Sequence, residues 1–144
     1  MTAVLEPPIQ EEQLSREELD KQAITRHYRR LLDAIKSEMD EEDKKNVRLA
    51  FELAVDAHKE QRRKSGEPYV LHPIEVARIC AEEIGLGPTA VICALLHDTV
   101  EDTPVTLDDI QERFGDKGAY FAKIVDGLTK LDHAYSASSK QAEN

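Results

Sequence analysis

The sequence has few of the residues that bind nucleic acids or anionic membranes. It contains no tryptophan, only 5% aromatic residues, and 19 lysines and arginines against 29 aspartates and glutamates, for a formal net charge of −10. Single-strand binders usually stack bases on aromatic side chains, and duplex or lipid binders usually present a basic surface. The composition therefore argues against DNA and membrane partners, and local cations must hold any anionic substrate. It gives no indication of oligomeric state.

Long apolar runs and a cysteine framework are missing as well. No stretch approaches the roughly 20 apolar residues that span a bilayer, and residues 1–10 lack the basic and apolar segments of a secretory signal. Cys80 and Cys93 lie in apolar stretches, without the spacing of metal ligands or of paired disulfides. We therefore expect reduced core thiols and a cytoplasmic protein.

Helical spacing of apolar residues dominates what is present, and no segment predicts a strand. A length of 144 residues suits one domain. We expect an all-α bundle of about six helices. Residues 1–14 are rich in Pro, Glu and Gln and are predicted to be a flexible leader. Residues 15–134 are predicted to form the bundle, and residues 135–144 a polar tail or the start of a truncated helix.

Prolines predict where two central helices begin. Pro73 and Pro88 each suit the first position of a helix, where a missing N–H costs nothing. In the first of these helices Ile84 is expected to face inward. In the second, every residue from Ala90 to Leu96 is apolar, which predicts a helix buried on most sides. The predicted N-caps of three other helices are Ser15, Asp40 and Thr106.

Imidazole and carboxylate groups follow this apolar run within little more than one turn. Residues four apart on a helix share a face, so His97 lies over Glu101 and Asp98 over Asp102. Neighbouring carboxylates near a helix C-terminus cost very roughly 0.5–1.5 kcal/mol, and a bound cation reverses that sign. Mixed nitrogen and oxygen ligands suit Mn²⁺, Fe²⁺, Co²⁺ or Zn²⁺ better than Ca²⁺. The pattern predicts a metal site, with His72 upstream as a third ligand.

The same residues have plainer interpretations. An acidic cluster before a proline is often a solvated helix end, and a histidine such as His72 can cap a helix or pack a turn. His58 completes an apolar stripe on its helix, which favours a hydrogen-bonded core residue or a support for a ligand over a ligand itself. His133 lies in the polar tail and is expected to be solvated.

A basic cluster precedes His72 in a segment of turn-forming composition, and it consists of Arg62, Arg63 and Lys64. Such clusters are usually solvated. In so acidic a chain, however, adjacent cations close to a predicted ligand are well placed to hold phosphate groups through charge-assisted hydrogen bonds. Ser65 can add a hydroxyl group to this loop.

Together these motifs resemble the hydrolase domain of RelA/SpoT-type enzymes, which degrade the guanosine alarmones ppGpp and pppGpp. The resemblance covers about residues 47–131. Its matching stretches are Ala57-His58, Arg63-Lys64-Ser65-Gly66-Glu67-Pro68-Tyr69, His72-Pro73, Leu96-His97-Asp98-Thr99-Val100-Glu101-Asp102-Thr103 and Val125-Asp126-Gly127-Leu128-Thr129-Lys130-Leu131. This combination is far more specific than a lone His-Asp pair.

The resemblance implies an α-helical HD fold, a Mn²⁺ ion, and hydrolysis of the 3′-pyrophosphate to give GDP or GTP plus pyrophosphate. It implies three metal ligands, which are His72, His97 and Asp98. It implies that the catalytic acidic pair is Glu101 and Asp102, without deciding which of them handles the proton. The nucleotide-binding loop implied in the same way is Arg63, Lys64 and Ser65.

One part of the family pattern is missing. The family's fourth metal ligand is an aspartate in a later Leu-Ala-Asp-Arg-Leu-His-Asn segment, and this sequence contains no Asp-Arg dipeptide. Asp126 is acidic and nearby, but it is interpreted as structural. We expect the chain to come from a larger hydrolase, or from a bifunctional synthetase and hydrolase of the stringent response. We also expect weak or no turnover from these 144 residues alone, since fewer ligands hold Mn²⁺ loosely.

Two other functions stay open from the sequence. A regulatory module could keep the helical fold without turnover, although the intact acidic pair speaks against it. An HD phosphohydrolase could also act on another nucleotide, although the loop from Arg63 to Tyr69 argues otherwise.

Overall fold

Six α-helices run through residues 14–143, the part of the chain that the computed structural model describes, with side chains described up to residue 135. The helices are α1 Arg16–Ile35, α2 Glu41–Ala57, α3 Leu71–Ile79, α4 Pro88–Asp102, α5 Leu107–Phe114 and α6 Gly118–Glu143. There is no strand in this range, and Arg62 and Pro68 form an isolated bridge. The predicted all-α fold is confirmed, while the predicted leader falls almost entirely outside the described residues.

Side-chain caps start three of the helices as predicted. The Ser15 hydroxyl accepts a hydrogen bond from the backbone of α1. At the start of α2, Asp40 and Asp43 each accept a hydrogen bond from the other's backbone N–H, and Thr106 and Asp109 do the same at the start of α5. Each cap satisfies N–H groups that the helix itself leaves unpaired.

The helix after the basic loop differs from its prediction at both ends. α3 begins at Leu71, so Pro73 is its third residue; the first turn tolerates this because N–H groups there have no helical partner. A π-helical turn, Cys80–Ile84, then extends α3 and ends at Gly85 with φ 82°. The wider turn rotates the following residues, and Ile84 is 63% exposed, so the prediction that it faces inward is wrong.

The first part of α4 forms the centre of the core. This helix begins at Pro88 and packs against α2, α3 and α6. The buried residues of its apolar run are Val91, Ile92, Cys93, Leu95 and Leu96. Cys93 is a free thiol whose burial raises its pKa to about 11, whereas Cys80 is only half-buried. The expectation of core thiols therefore applies fully to Cys93.

α5 and α6 form a tight hairpin, and α6 continues to Glu143. A Cβ atom at Gly118 would lie 2.1 Å from the Gln111 carbonyl oxygen, so only glycine permits this approach of the two helices. Phe121 and Val125 then anchor α6 to the core. The predicted division at residue 134 stays a prediction.

Among the described residues, no helix combines the length and the apolar character that crossing a membrane requires.

Candidate metal centre and phosphate-binding loop

The polar side chains at the C-terminal end of α4 face α6. His97 and Glu101 lie one helical turn apart, with His97 Nε2 3.8 Å from Glu101 Oε2. A third group comes from α6, because Asp132 Oδ2 lies 2.7 Å from the same His97 nitrogen. One ligand atom from each of these three residues lies within 4.8 Å of the others. The predicted i, i+4 pairing of His97 with Glu101 is therefore present, with an acidic partner that the sequence analysis did not include.

The ring nitrogen at the middle of this cluster forms no hydrogen bond with any residue that the structure describes. His97 Nε2 is buried, and neither nearby carboxylate meets it with hydrogen-bond geometry. Buried polar atoms in folded proteins are nearly always paired, so an unpaired one is a candidate position for a bound group; within the described residues His58 Nε2 and Thr129 Oγ1 are unpaired as well. One imidazole nitrogen and carboxylate oxygens directed at a common point form a donor set suited to a first-row divalent cation. The cluster therefore fits a divalent metal ion, although His97 is the one residue in it of the three ligands that the resemblance implies.

Asp98 holds the His97 ring from its other side. Asp98 Oδ1 lies 3.2 Å from His97 Nδ1, and Asp98 Oδ2 accepts a hydrogen bond of 2.9 Å from the Tyr69 hydroxyl. This contact with Asp98, together with the neighbouring Asp132 carboxylate, raises the pKa of His97 to about 9, and the ring in turn lowers the pKa of Asp98. Burial and the bond to Asp98 raise the pKa of Tyr69. The Asp98 carboxylate is thus ionised, and each of its oxygens keeps a lone pair for a further ligand.

His72 lies where the acidic centre meets the basic loop. A groove of about 490 Å³ is lined by His72, His97 and Asp98 together with apolar residues of α3, α4 and α6. A neighbouring cavity of about 560 Å³ is lined by His72 and, on the loop, by Arg62, Arg63, Lys64, Ser65 and Tyr69. His72 is thus in the same groove as the two other predicted ligands, although it is outside the cluster around His97 Nε2.

The basic loop is held against α1 by hydrogen bonds. One of its cations, Arg62, takes part in these bonds, and the other two do not. The Arg62 side chain bonds Asp20 of α1 and the Gly66 carbonyl, and Arg16 of α1 donates to that same carbonyl at 2.9 Å. Gly66 adopts φ 95°, a conformation that favours glycine. Arg63, Lys64 and Ser65 remain exposed beyond this anchor. The structure therefore leaves the three residues predicted for nucleotide binding accessible and uses Arg62 for the anchor.

A buried histidine and a glutamine fix the end of α4 against this loop. His58 is 1% exposed, and its Nδ1 lies 2.7 Å from Gln61 Oε1. The Gln61 amide donates to the Asp102 carbonyl oxygen, also at 2.7 Å. Since the amide nitrogen is the donor, the amide oxygen must accept, which places the His58 proton on Nδ1. His58 is therefore a hydrogen-bonded core residue, one of the two interpretations predicted, and Asp102 is oriented through its backbone.

The roles of Gln61, Tyr69 and Asp132 were not predicted from the sequence. For Asp132, the spacing of apolar residues along α6 could have indicated its position. Asp132 follows Phe121, Val125 and Leu128 at spacings i, i+4, i+7 and i+11, so it continues the inward face of α6. His133 is exposed as predicted, with 73% of its side chain accessible, but its Nε2 lies 3.0 Å from Glu101 Oε1. Its description as merely solvated is therefore incomplete.

Comparison with known proteins identifies the family of the chain. Residues 50–144 match the family described as HD domain, and the chain belongs to that family. The predicted HD fold is thereby confirmed.

Several curated relatives define the branch of the family more closely. The chain is 47% identical over 98 residues to the guanosine-3′,5′-bis(diphosphate) 3′-pyrophosphohydrolase of Aquifex aeolicus (strain VF5), covering 68% of this chain and 13% of that protein. It is 47% identical over 97 residues to the probable GTP pyrophosphokinase of Mycobacterium leprae (strain TN), covering 67% and 12%. It is 40% identical over 116 residues to the bifunctional (p)ppGpp synthase/hydrolase SpoT of Escherichia coli (strain K12), covering 81% and 16%.

These relatives place the chain among RelA/SpoT-type HD domains, which confirms the resemblance inferred from its motifs. The chain spans between 12% and 16% of the length of these three relatives.

Proposed function

We propose that this chain is an HD domain that hydrolyses the 3′-pyrophosphate of ppGpp or pppGpp to give GDP or GTP plus pyrophosphate. The observation that carries the proposal is the position of His72, which lines both the acidic groove and the cavity of the basic loop. A polyphosphate held by the loop would therefore extend into the acidic groove, because the groove and the loop cavity share His72. The names of the Aquifex aeolicus and Escherichia coli relatives describe this chemistry for those proteins.

We propose Mn²⁺ as the metal, with His72, His97 and Asp98 among the residues that hold it, and a cytoplasmic location. When bound, such an ion neutralises phosphoryl oxygens and lowers the pKa of water at the site. Asp98 contributes its lowered pKa, because it stays ionised and keeps the His97 ring in one orientation. Tyr69 holds the second Asp98 oxygen in place through its hydroxyl.

Within the acidic pair, the proposal assigns proton transfer to Glu101. Its Oε2 faces His97 Nε2, and its other oxygen is held by His133. Asp102, by contrast, is exposed, and its carbonyl is fixed by Gln61. Glu101 Oε2 is therefore the oxygen placed to take a proton from the attacking water, while Asp102 at the rim can pass that proton to solvent.

The loop residues Arg63 and Lys64 supply the positive charge that the rest of the chain lacks. Both are exposed and border the cavity that His72 shares. Charge-assisted hydrogen bonds from a guanidinium and an ammonium group are the usual means of holding phosphates. The Ser65 hydroxyl, which here donates to Glu67 at 3.2 Å, is available at the same edge.

Incubation of the purified chain with ppGpp and MnCl₂, followed by anion-exchange chromatography, tests the reaction. The expected products are GDP and pyrophosphate, formed slowly, and His97→Ala is expected to abolish them. Arg63→Ala is expected to weaken ppGpp binding about tenfold, the value of one charge-assisted contact. The matched control Arg48→Ala removes an arginine that pairs with Glu52 on α2, and it should leave binding unchanged.

Two results would favour the other functions. Faster hydrolysis of dNTPs or nucleoside monophosphates than of ppGpp would indicate an HD phosphohydrolase of another nucleotide. Binding of ppGpp without any turnover, in this chain and in a full-length protein that contains it, would indicate a regulatory module.

A further inference from the structure

We infer that Asp132 of α6 is a metal ligand in this chain, binding the same ion as His97 Nε2. The inference rests on the proposed metal-dependent function and extends its ligand set, which so far comes only from α3 and α4. It assigns to α6 a direct part in the metal site.

The distances around His97 Nε2 carry the first step. Atoms that bind one ion at about 2.0–2.2 Å in tetrahedral or octahedral geometry lie roughly 2.9–3.6 Å from one another. Asp132 Oδ2 and Glu101 Oε2 lie 2.7 Å and 3.8 Å from His97 Nε2, on either side of that range. Small side-chain adjustments therefore accommodate an ion between the nitrogen and the Asp132 oxygen.

An ion pair with Asp132 accounts for the charge in this contact but not for its geometry. In an ion pair at 2.7 Å the ring N–H would point along the line to the carboxylate oxygen, yet no group within the described residues, Asp132 included, meets the buried Nε2 with hydrogen-bond geometry. Two carboxylates, those of Glu101 and Asp132, approach this one nitrogen, as the oxygen ligands of a shared ion would.

The position of Asp132 is set by the core and is independent of any surface attraction. Phe121 and Val125 are buried, and Leu128 is half-buried on the same face of α6. Asp132 is the next residue of that face, one turn beyond Leu128. Burial of the apolar residues therefore carries the Asp132 carboxylate to the end of α4. His133, adjacent to it, contacts the Glu101 oxygen that faces away from His97.

Calorimetric titration of the chain with MnCl₂ tests this assignment. Asp132→Asn keeps the shape of the side chain but removes its charge, and it is expected to weaken Mn²⁺ binding by at least about tenfold. The matched control is Asp126→Asn on the same helix, whose carboxylate pairs with Lys130 at 3.0 Å, and its Mn²⁺ affinity should equal that of the wild-type chain. Far-UV circular dichroism of each variant shows whether it is folded.

A double variant separates shared binding from independent effects. If Asp132 and His97 bind one ion, Asp132→Asn should change the residual Mn²⁺ affinity of His97→Ala far less than it changes that of the wild-type chain. Equal effects in both backgrounds would overturn the inference.

Wild-type affinity in folded Asp132→Asn would overturn it as well, and would leave the proposed function untouched because the other ligands would then suffice. The titration needs no substrate. Loss of Mn²⁺ affinity in Asp132→Asn would therefore support the inference even if the chain failed to hydrolyse ppGpp.

Discussion

The two halves of α4 lie on one continuous helix but differ in burial and in charge. In the first half Val91, Leu95 and Leu96 are fully buried in the core. In the second half His97, Asp98 and Glu101 keep part of their surface exposed and converge with groups from other helices. The first half stabilises the fold by removing apolar surface from water. The second half gathers carboxylates, whose mutual repulsion costs stability and would be relieved by a bound cation.

Contacts from outside the helix hold this costly half in place. Tyr69 bonds the side chain of Asp98, and Gln61 bonds the backbone of Asp102. The Thr103 hydroxyl also donates to the Thr99 carbonyl at the helix end. The buried half thus carries the stability, whereas the acidic half is held by neighbouring contacts, as accurate placement of ligands requires. Three substitutions test this difference, in order of the effect expected.

Leu95→Ala should have the largest effect, because it opens a cavity in the fully buried half. The expected loss in the free energy of unfolding is about 2–5 kcal/mol. Leu131→Ala is the matched control, since Leu131 is 66% exposed on α6 and its loss should cost less than about 0.5 kcal/mol. Urea denaturation followed by circular dichroism measures both. Similar losses in the two variants would contradict the view that the first half of α4 carries the stability.

Gln61→Ala should have an intermediate effect, because it leaves two partners unpaired. His58 Nδ1 and the Asp102 carbonyl would each lose a hydrogen bond, at a cost of about 1–3 kcal/mol in the free energy of unfolding. Gln22→Ala, at an exposed position of α1, serves as the control and should be nearly neutral. A loss below about 0.5 kcal/mol, measured by the same denaturation experiment, would mean that water replaces the amide and that Gln61 does not hold the end of α4.

Asp102→Asn should have the smallest effect and the opposite sign. The exposed Asp102 carboxylate lies at the C-terminus of α4, where it opposes the helix dipole, and one turn beyond Asp98. Removing its charge should stabilise the metal-free chain by about 0.3–0.5 kcal/mol at low ionic strength. Asp108→Asn, in the first turn of α5, should destabilise by a similar amount, because there the dipole favours the negative charge. Destabilisation by Asp102→Asn would contradict the proposed cost.

Local sequence patterns predicted most of the helices and, in the candidate site, the pairing of residues within α4. Helical spacing, caps and Pro88 predicted the helices, because each of these features acts within a few residues. The π-helical turn after α3 depends on how that helix packs, so the exposure of Ile84 could not be predicted from a regular period. The pairing of His97 with Glu101 follows from spacing within one helix. Asp132 could be placed only by the packing of α6 on α4, a tertiary contact without a local motif.

The anchoring of the basic loop has a consequence for where this domain begins. The family match starts at residue 50, yet the loop that it contains is fastened by Arg16 and Asp20, which precede the match. A domain boundary drawn at residue 50 would therefore separate the basic loop from the two residues of α1 that hold it. A protein that contains only the matched segment would keep the acidic residues of α4 but lose the contacts of Arg16 and Asp20 with the basic loop. Substitutions of Arg16 or Asp20 are therefore expected to change how the basic loop is held without altering the acidic residues of α4.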